Sequence, residues 1–70
     1  MNYLWGDIVP GDCFLLFEEH YFVLNIQEIA NNDLKITLTN LEKMGKYQPV
    51  VMFMSKLDVI EDSWRMKLLK

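Results

Sequence analysis

Residues 21–41 read YFVLNIQEIANNDLKITLTNL, and this stretch decides the fold. In its second half Leu34, Ile36 and Leu38 alternate with polar residues, which is the period-two pattern of a strand with one buried face. The pair Asn32-Asp33 tolerates positive φ and predicts a turn between the two halves. The stretch therefore predicts a long β-hairpin.

The register of this hairpin requires an irregularity. Pairing across the predicted turn sets Ile29 opposite Ile36, but continuing that register places a glutamine on the core face. A β-bulge at Gln27-Glu28 removes the conflict, because it sets Ile26 opposite Leu38. Bulged strands bend sharply, so the hairpin favours a small barrel over a flat sheet.

Three further runs complete a predicted set of five strands. Residues 14–17 and 50–54 are apolar at every position, which is typical of strands covered on both faces. Near the end of the chain Trp64, Met66 and Leu68 alternate with basic residues, which predicts a closing strand.

The connections carry their own signals. Val9-Pro10-Gly11-Asp12 predicts a chain reversal before the first full strand, since Pro fixes φ and Gly accepts positive φ. Residues 1–8 lie before it and are apolar enough that we expect them to pack over a barrel end or pair with the last strand. Glu18-Glu19 is a poor pair for a two-residue hairpin turn, so a longer loop is expected there.

Residues 56–70 allow two interpretations. Ser55-Lys56-Leu57-Asp58 matches a capping box, so we expect a short helix over residues 56–62 before the closing strand. In the alternative, one helix spans 56–70 and packs on a four-stranded antiparallel sheet, an α+β fold. We favour a mainly β, five-stranded small barrel, because a fifth strand covers an edge that four leave open.

This order of strand, bulged hairpin, short helical turn and closing strand resembles SH3-type small barrels. The resemblance is one of architecture across most of the chain. It implies an SH3-like fold and no particular activity, since that class of barrel hosts many functions.

Size and composition bound the possibilities. The chain has 70 residues, 51% of them hydrophobic, with one Cys and one His. We expect residues 1–70 to form one small domain whose folding buries only about 60–65% of the surface of the unfolded chain. A single Cys excludes an intrachain disulfide, and a metal cage built from protein ligands is not expected.

Charge and hydropathy indicate the environment. The formal net charge is −3, which opposes nonspecific attraction to nucleic acid or anionic lipid. No apolar run approaches the roughly 18 residues that cross a bilayer, and the first residues lack the pattern of a signal peptide. We therefore expect a cytoplasmic protein that does not bind membranes.

Few residues offer catalytic chemistry. Cys13 and His20 are the one thiol and the one imidazole, but the predicted register sets them about 13 Å apart along the hairpin. We expect Cys13 to be a structural core residue and His20 a loop residue. The acidic pair Glu18-Glu19 and the group Asp58, Glu61, Asp62 are interpreted as solvated surface charge. We expect neither enzymatic activity nor a cofactor.

Surplus apolar surface predicts a protein partner. Val50, Met52 and Met54 share one face of their strand, and the opposite face is apolar as well, while a small barrel has one interior. We predict protein binding at these three residues together with Glu18 and Glu19. The favoured function is a non-enzymatic protein-binding module, a small inhibitor or adaptor that masks a partner's surface. A homodimer is the expected assembly.

The alternative function is binding of single-stranded nucleic acid. Lys43, Lys46 and Tyr47 form the one basic and aromatic stretch, in a glycine-containing loop. Small barrels bind single strands with such residues, because bases stack on the aromatic ring beside a cation that contacts phosphate. We rank this below protein binding because the stretch has ordinary loop composition.

Overall fold

The computed structural model describes residues 3–40, 42–43 and 48–69. Five antiparallel strands form one sheet that curls into a half-barrel, with the order β4-β3-β2-β1-β5. The prediction of a mainly β, five-stranded fold is thereby confirmed. The strands are β1 (Cys13–Leu16), β2 (Glu19–Ala30), β3 (Asp33–Asn40), β4 (Val50–Ser55) and β5 (Met66–Leu68).

The core lies on the concave face of the sheet. β3 supplies its centre, because Leu34, Ile36 and Leu38 are buried while the residues between them are only partly covered. This is the alternation that the sequence predicts. The buried apolar residues are Trp5, Ile8, Phe14, Val23, Leu34, Ile36, Leu38, Ile60 and Leu68.

The N-terminal segment covers this face. A 3-10 turn spans Trp5–Asp7, and the ring of Trp5 stacks on Phe14 with 5.5 Å between ring centroids. The segment pairs with residues 56–60, since Leu4 forms a β-bridge with Val59. The segment therefore packs on the core, over the concave face, and it pairs with the segment before β5 and not with β5 itself.

Residues 56–69, the described part of this region, contain no helix, so neither the short helix over 56–62 nor the alternative helix over 56–70 is formed there. Ser55 does cap a turn, because its hydroxyl accepts the Leu57 N–H at 3.3 Å. The chain then extends, and Asp58 and Ile60 exchange hydrogen bonds with residues 3–5 at 2.8–2.9 Å. Pairing with the N-terminal segment thus satisfies backbone groups that a helix would satisfy internally.

The β1–β2 hairpin is tighter than expected. Leu16 pairs with Glu19, so only Phe17 and Glu18 lie in the turn, and both have positive φ, 49° and 67°. The expectation of a longer loop is therefore wrong. The upstream reversal is as predicted, with Gly11 at φ 98° and the Asp12 N–H bonded to Val9.

The β2–β3 hairpin contains two bulges. Ala30 pairs with Asp33, which places the turn at Asn31-Asn32, one residue earlier than predicted. The register shifts fall at Leu24 and Ile29 instead of Gln27-Glu28. As a result Ile36 lies opposite Ile26, and Leu38 lies opposite Val23. A bulged, bent strand was predicted correctly, but its register was not.

Candidate functional site

The largest exposed side chains meet at one end of the sheet. Phe17 is 66% exposed and Trp64 is 74% exposed, and their rings contact edge to face with 6.1 Å between centroids. The guanidinium of Arg65 lies 5.1 Å from the centre of the Trp64 ring, a cation–π distance. We call Phe17, Trp64 and Arg65 the aromatic cluster.

Backbone pairing holds the aromatic cluster in place. The Phe17 N–H donates to the Arg65 carbonyl at 2.9 Å, which extends the β1–β5 ladder by one bond past the strands. Ser63 fixes the turn before β5, because its hydroxyl accepts the N–H groups of Arg65 and Met66 at 3.2 and 3.3 Å. Trp64 lies between these anchored residues.

The backbone at Phe17 is strained. A bulky residue at positive φ is a genuine outlier, and each such residue costs of order 1–3 kcal/mol. Asn-Gly would suit a turn with two positive φ values far better than Phe-Glu. The strained turn nevertheless presents Phe17 to solvent beside Trp64.

A polar network lies on the other side of the same turn. Asn40 is 4% exposed, and its amide oxygen accepts the N–H groups of Glu42 and Lys43 at 2.8 and 3.0 Å. Its Nδ2 donates to Glu19 at 2.9 Å, and Lys43 Nζ lies 2.6 Å from the same carboxylate. Glu19 is thereby engaged in structure, whereas Glu18 is exposed at the turn.

His20 joins this network through Glu42. His20 Nδ1 lies 3.1 Å from Glu42 Oε1, with both side chains about half exposed. The hydrogen bond from the His20 side chain, with a further one from its backbone, lowers the pKa of Glu42 below its ordinary value.

Cys13 and His20 are not brought together as a dyad. The register sets His20 opposite Leu15, which is closer to Cys13 than predicted. The imidazole bonds Glu42, however, and Cys13 Sγ is directed to the Gly11 carbonyl at 3.8 Å. The expectation that His20 is a loop residue is wrong, because it lies in β2, and Cys13 is only partly buried and outside the core cluster. The described residues bring no three His, Cys, Asp or Glu side chains together as metal ligands.

β4 presents a different face from the one predicted. Val50, Met52 and Met54 are half-buried and pack against the core, whereas Val51 and Phe53 project outward with 44% and 64% exposure. The two apolar faces of this strand are therefore divided between the core and the solvent. A protein contact at Val50, Met52, Met54, Glu18 and Glu19 stays a prediction.

An open groove lies beside β4, on the concave side. Its volume is about 510 Å³, and it is partly apolar and partly acidic. Met54 is the one predicted contact residue that it exposes. The groove is lined by Trp5, Met54, Asp58, Val59, Glu61 and Met66.

The predicted nucleic-acid residues are only partly placed. Lys43 is paired with Glu19, so its charge is already neutralised by a carboxylate. Lys46 and Tyr47 lie outside the described residues. The structure thus adds no observation in favour of this alternative, which stays a prediction.

Comparison of the chain with protein-family models, curated proteins and solved structures finds no significant match. In the described part of the chain no helix is long and apolar enough to cross a membrane.

The sequence does not predict the aromatic cluster, because Phe17 is far along the chain from Trp64 and Arg65. The sequence pattern places Phe17 at the end of a covered strand and Trp64 in the closing strand. One signal was present: Trp64 lies within Glu61-Asp62-Ser63-Trp64-Arg65, so its neighbours are almost all polar. A lone Trp in such a segment favours an exposed position.

Proposed function

We propose that the protein is a non-enzymatic protein-binding module, a small inhibitor or adaptor that masks a partner's surface through the aromatic cluster. The observation that carries the proposal is the exposed contact between Phe17 and Trp64 with Arg65 stacked on the indole. Trp and Arg are enriched among the residues that dominate binding energy at protein interfaces.

Burial supplies the driving force. Covering a large apolar side chain contributes about 1.5–3 kcal/mol relative to leaving it in water, and two such side chains adjoin here. The Arg65 guanidinium adds donors that can bond a partner's carbonyl or carboxylate. A partner surface with apolar side chains and backbone or acidic acceptors fits this chemistry.

Strain at the turn supports a role beyond folding. A turn of Phe17 and Glu18 is less stable than one of Asn and Gly, and strain of this kind is found at binding sites. The buried core does not explain the choice of Phe17, since the ring is largely in solvent. Presentation of the ring to a partner does.

An SH3-like fold and a cytoplasmic location belong to the same proposal. The strand order β4-β3-β2-β1-β5, with β1 between the hairpin and the closing strand, supports an SH3-like classification. A lone, unbridged Cys13 supports a cytoplasmic location, where thiols stay reduced.

The test separates binding from folding. Phe17→Asn removes the ring but relieves the strained turn, so it should leave the thermal midpoint unchanged or raise it. Quantitative pull-down from host lysate should then show partners captured by the wild type and lost with Phe17→Asn and Trp64→Ala. Val9→Ala, which truncates an exposed apolar residue elsewhere, is the matched control and should retain them.

Two outcomes would contradict the proposal. Equal capture by the wild type and both cluster variants would exclude the aromatic cluster as the contact. Binding of single-stranded oligonucleotides that weakens steeply with added salt would instead favour the nucleic-acid alternative at Lys43, Lys46 and Tyr47.

A further inference from the structure

The outer edge of β5 is satisfied within the chain. The Met66 carbonyl accepts the Ser63 N–H at 2.8 Å, and the Met66 N–H donates to the Ser63 hydroxyl at 3.3 Å. The Leu68 N–H donates to Asp62 Oδ1 at 3.4 Å. Residues 62–63 thereby cover this edge, which is one way in which proteins prevent unwanted strand pairing.

Residues 3–40, 42–43 and 48–69 provide no such cover for the outer edge of β4. The Lys56 N–H donates to the Asn32 carbonyl at 2.7 Å, so residue 56 is hydrogen-bonded to the β3 side of the ladder. Every second residue of an antiparallel strand bonds to the same neighbour, so the even-numbered residues of β4 are the ones that bond to β3. The N–H and C=O groups of Val51 and Phe53 therefore point away from the sheet. Among the described residues no group bonds to them.

Charge favours a second copy at this edge. Residues 48–55 contain no charged side chain, although the chain as a whole carries −3. Two acidic copies can meet here without setting like charges opposite each other. Natural edge strands are commonly protected by Lys or by an internal Pro, and β4 has neither.

We propose that two copies pair antiparallel through β4 about a two-fold axis at Met52. In this register Val51 lies opposite the partner's Phe53, and the two symmetric pairs exchange four backbone hydrogen bonds. Each is an aromatic and β-branched pair on the exposed face, a favourable cross-strand combination. Val50 lies opposite the partner's Met54 on the concave face.

The pairing is independent of the aromatic cluster and goes beyond the proposed function. The aromatic cluster adjoins β1 and β5, and β4 is at the opposite edge of the sheet. Six residues per copy bury less than a standard interface of about 1,600 Å², so we expect a reversible dimer at micromolar concentrations.

Sedimentation velocity over micromolar concentrations tests the pairing. The wild type should dimerise, and Val51→Pro should be monomeric, because Pro removes an N–H that only the partner uses. Val51→Thr keeps the N–H and the branched shape, so it is the matched control and should dimerise. If Val51→Pro fails to fold, Phe53→Lys serves in its place. This variant keeps its backbone N–H and should weaken the dimer roughly tenfold or more.

A disulfide test fixes the register. In a Cys13→Ser background, Met52→Cys should form a covalent dimer under mild oxidation, since residue 52 faces its own copy across the axis. Met54→Cys should not, because it faces Val50. A wild type that stays monomeric, Val51→Pro as dimeric as the wild type, or crosslinking at 54 and not at 52 would each overturn the proposal. A β4 edge that binds an extended peptide but not a second copy would do the same.

Discussion

At the scale of single residues, Asn40 connects the end of β3 to residues 42–43. Its amide satisfies two backbone N–H groups and one carboxylate, so a buried polar side chain lies at the end of a strand without an unmet hydrogen bond. The pair of His20 and Glu42 continues this network at the surface. A polar side chain at position 40 thus supplies the acceptor that the N–H groups of residues 42 and 43 bond.

Glu42 makes stability depend on pH in the acid range. Its pKa is lowered in the folded state by the hydrogen bond from His20, so the folded state favours the ionised carboxylate. This contribution is present above the ordinary glutamate pKa and is lost as the pH falls through the lowered value. Between about pH 6 and about pH 3 the wild type should therefore lose more stability than Glu42→Gln.

Urea unfolding followed by circular dichroism at several pH values measures this difference. Both side chains are about half exposed, so the effect should be small and should shrink with added salt. Parallel pH curves for the wild type and Glu42→Gln would show that the interaction adds nothing to stability.

At the scale of elements, the N-terminal segment depends on a close approach to the chain after β4. The Gly6 N–H donates to the Lys56 carbonyl at 3.0 Å, and a Cβ at residue 6 would lie 2.9 Å from that oxygen. Gly6→Ala should therefore destabilise the fold by about 1–3 kcal/mol, because backbone on both sides must shift.

The free energy of unfolding in urea checks this prediction. Val9→Ala lies nearby in the chain but truncates an exposed side chain, so it should change stability by less than about 0.5 kcal/mol. If Gly6→Ala matched this control, the pairing of the two segments would be looser than the structure indicates.

Strands were predictable where a local pattern determines them. The alternation at Leu34, Ile36 and Leu38 needs no knowledge of the rest of the chain, and β3 agrees with it. The prediction of a helix over residues 56–62 was wrong because the Ser55 hydroxyl can accept a backbone N–H at the start of a helix or in a turn. Pairing with residues 3–5, more than fifty positions away, decides between them.

The candidate sites were less predictable than the strands. The contact between Phe17 and Trp64 requires the β1–β5 pairing and a two-residue turn that the residue types disfavour. On β4 the composition showed two apolar faces but not which one the core would take. That choice follows from the register with β3, which sets Met52 opposite Ile36.

At the scale of the whole molecule, a half-barrel leaves its concave face open unless another segment covers it. Trp5 and Ile8 from the N-terminal segment and Ile60 from the chain before β5 are buried on that face. The core is thereby assembled from both ends of the chain as well as from the sheet. Stability should accordingly depend on residues outside the strands.

The two tryptophans test this dependence. Trp5 is 3% exposed and stacked on Phe14, whereas Trp64 is 74% exposed. Trp5→Ala should cost about 3–5 kcal/mol, a large share of the roughly 4–10 kcal/mol expected for a chain of this length. Trp64→Ala should cost no more than about 1 kcal/mol. Urea unfolding followed by circular dichroism compares the two. Equal losses would mean that the N-terminal segment does not close the core, since truncating its buried ring would then matter no more than truncating an exposed one.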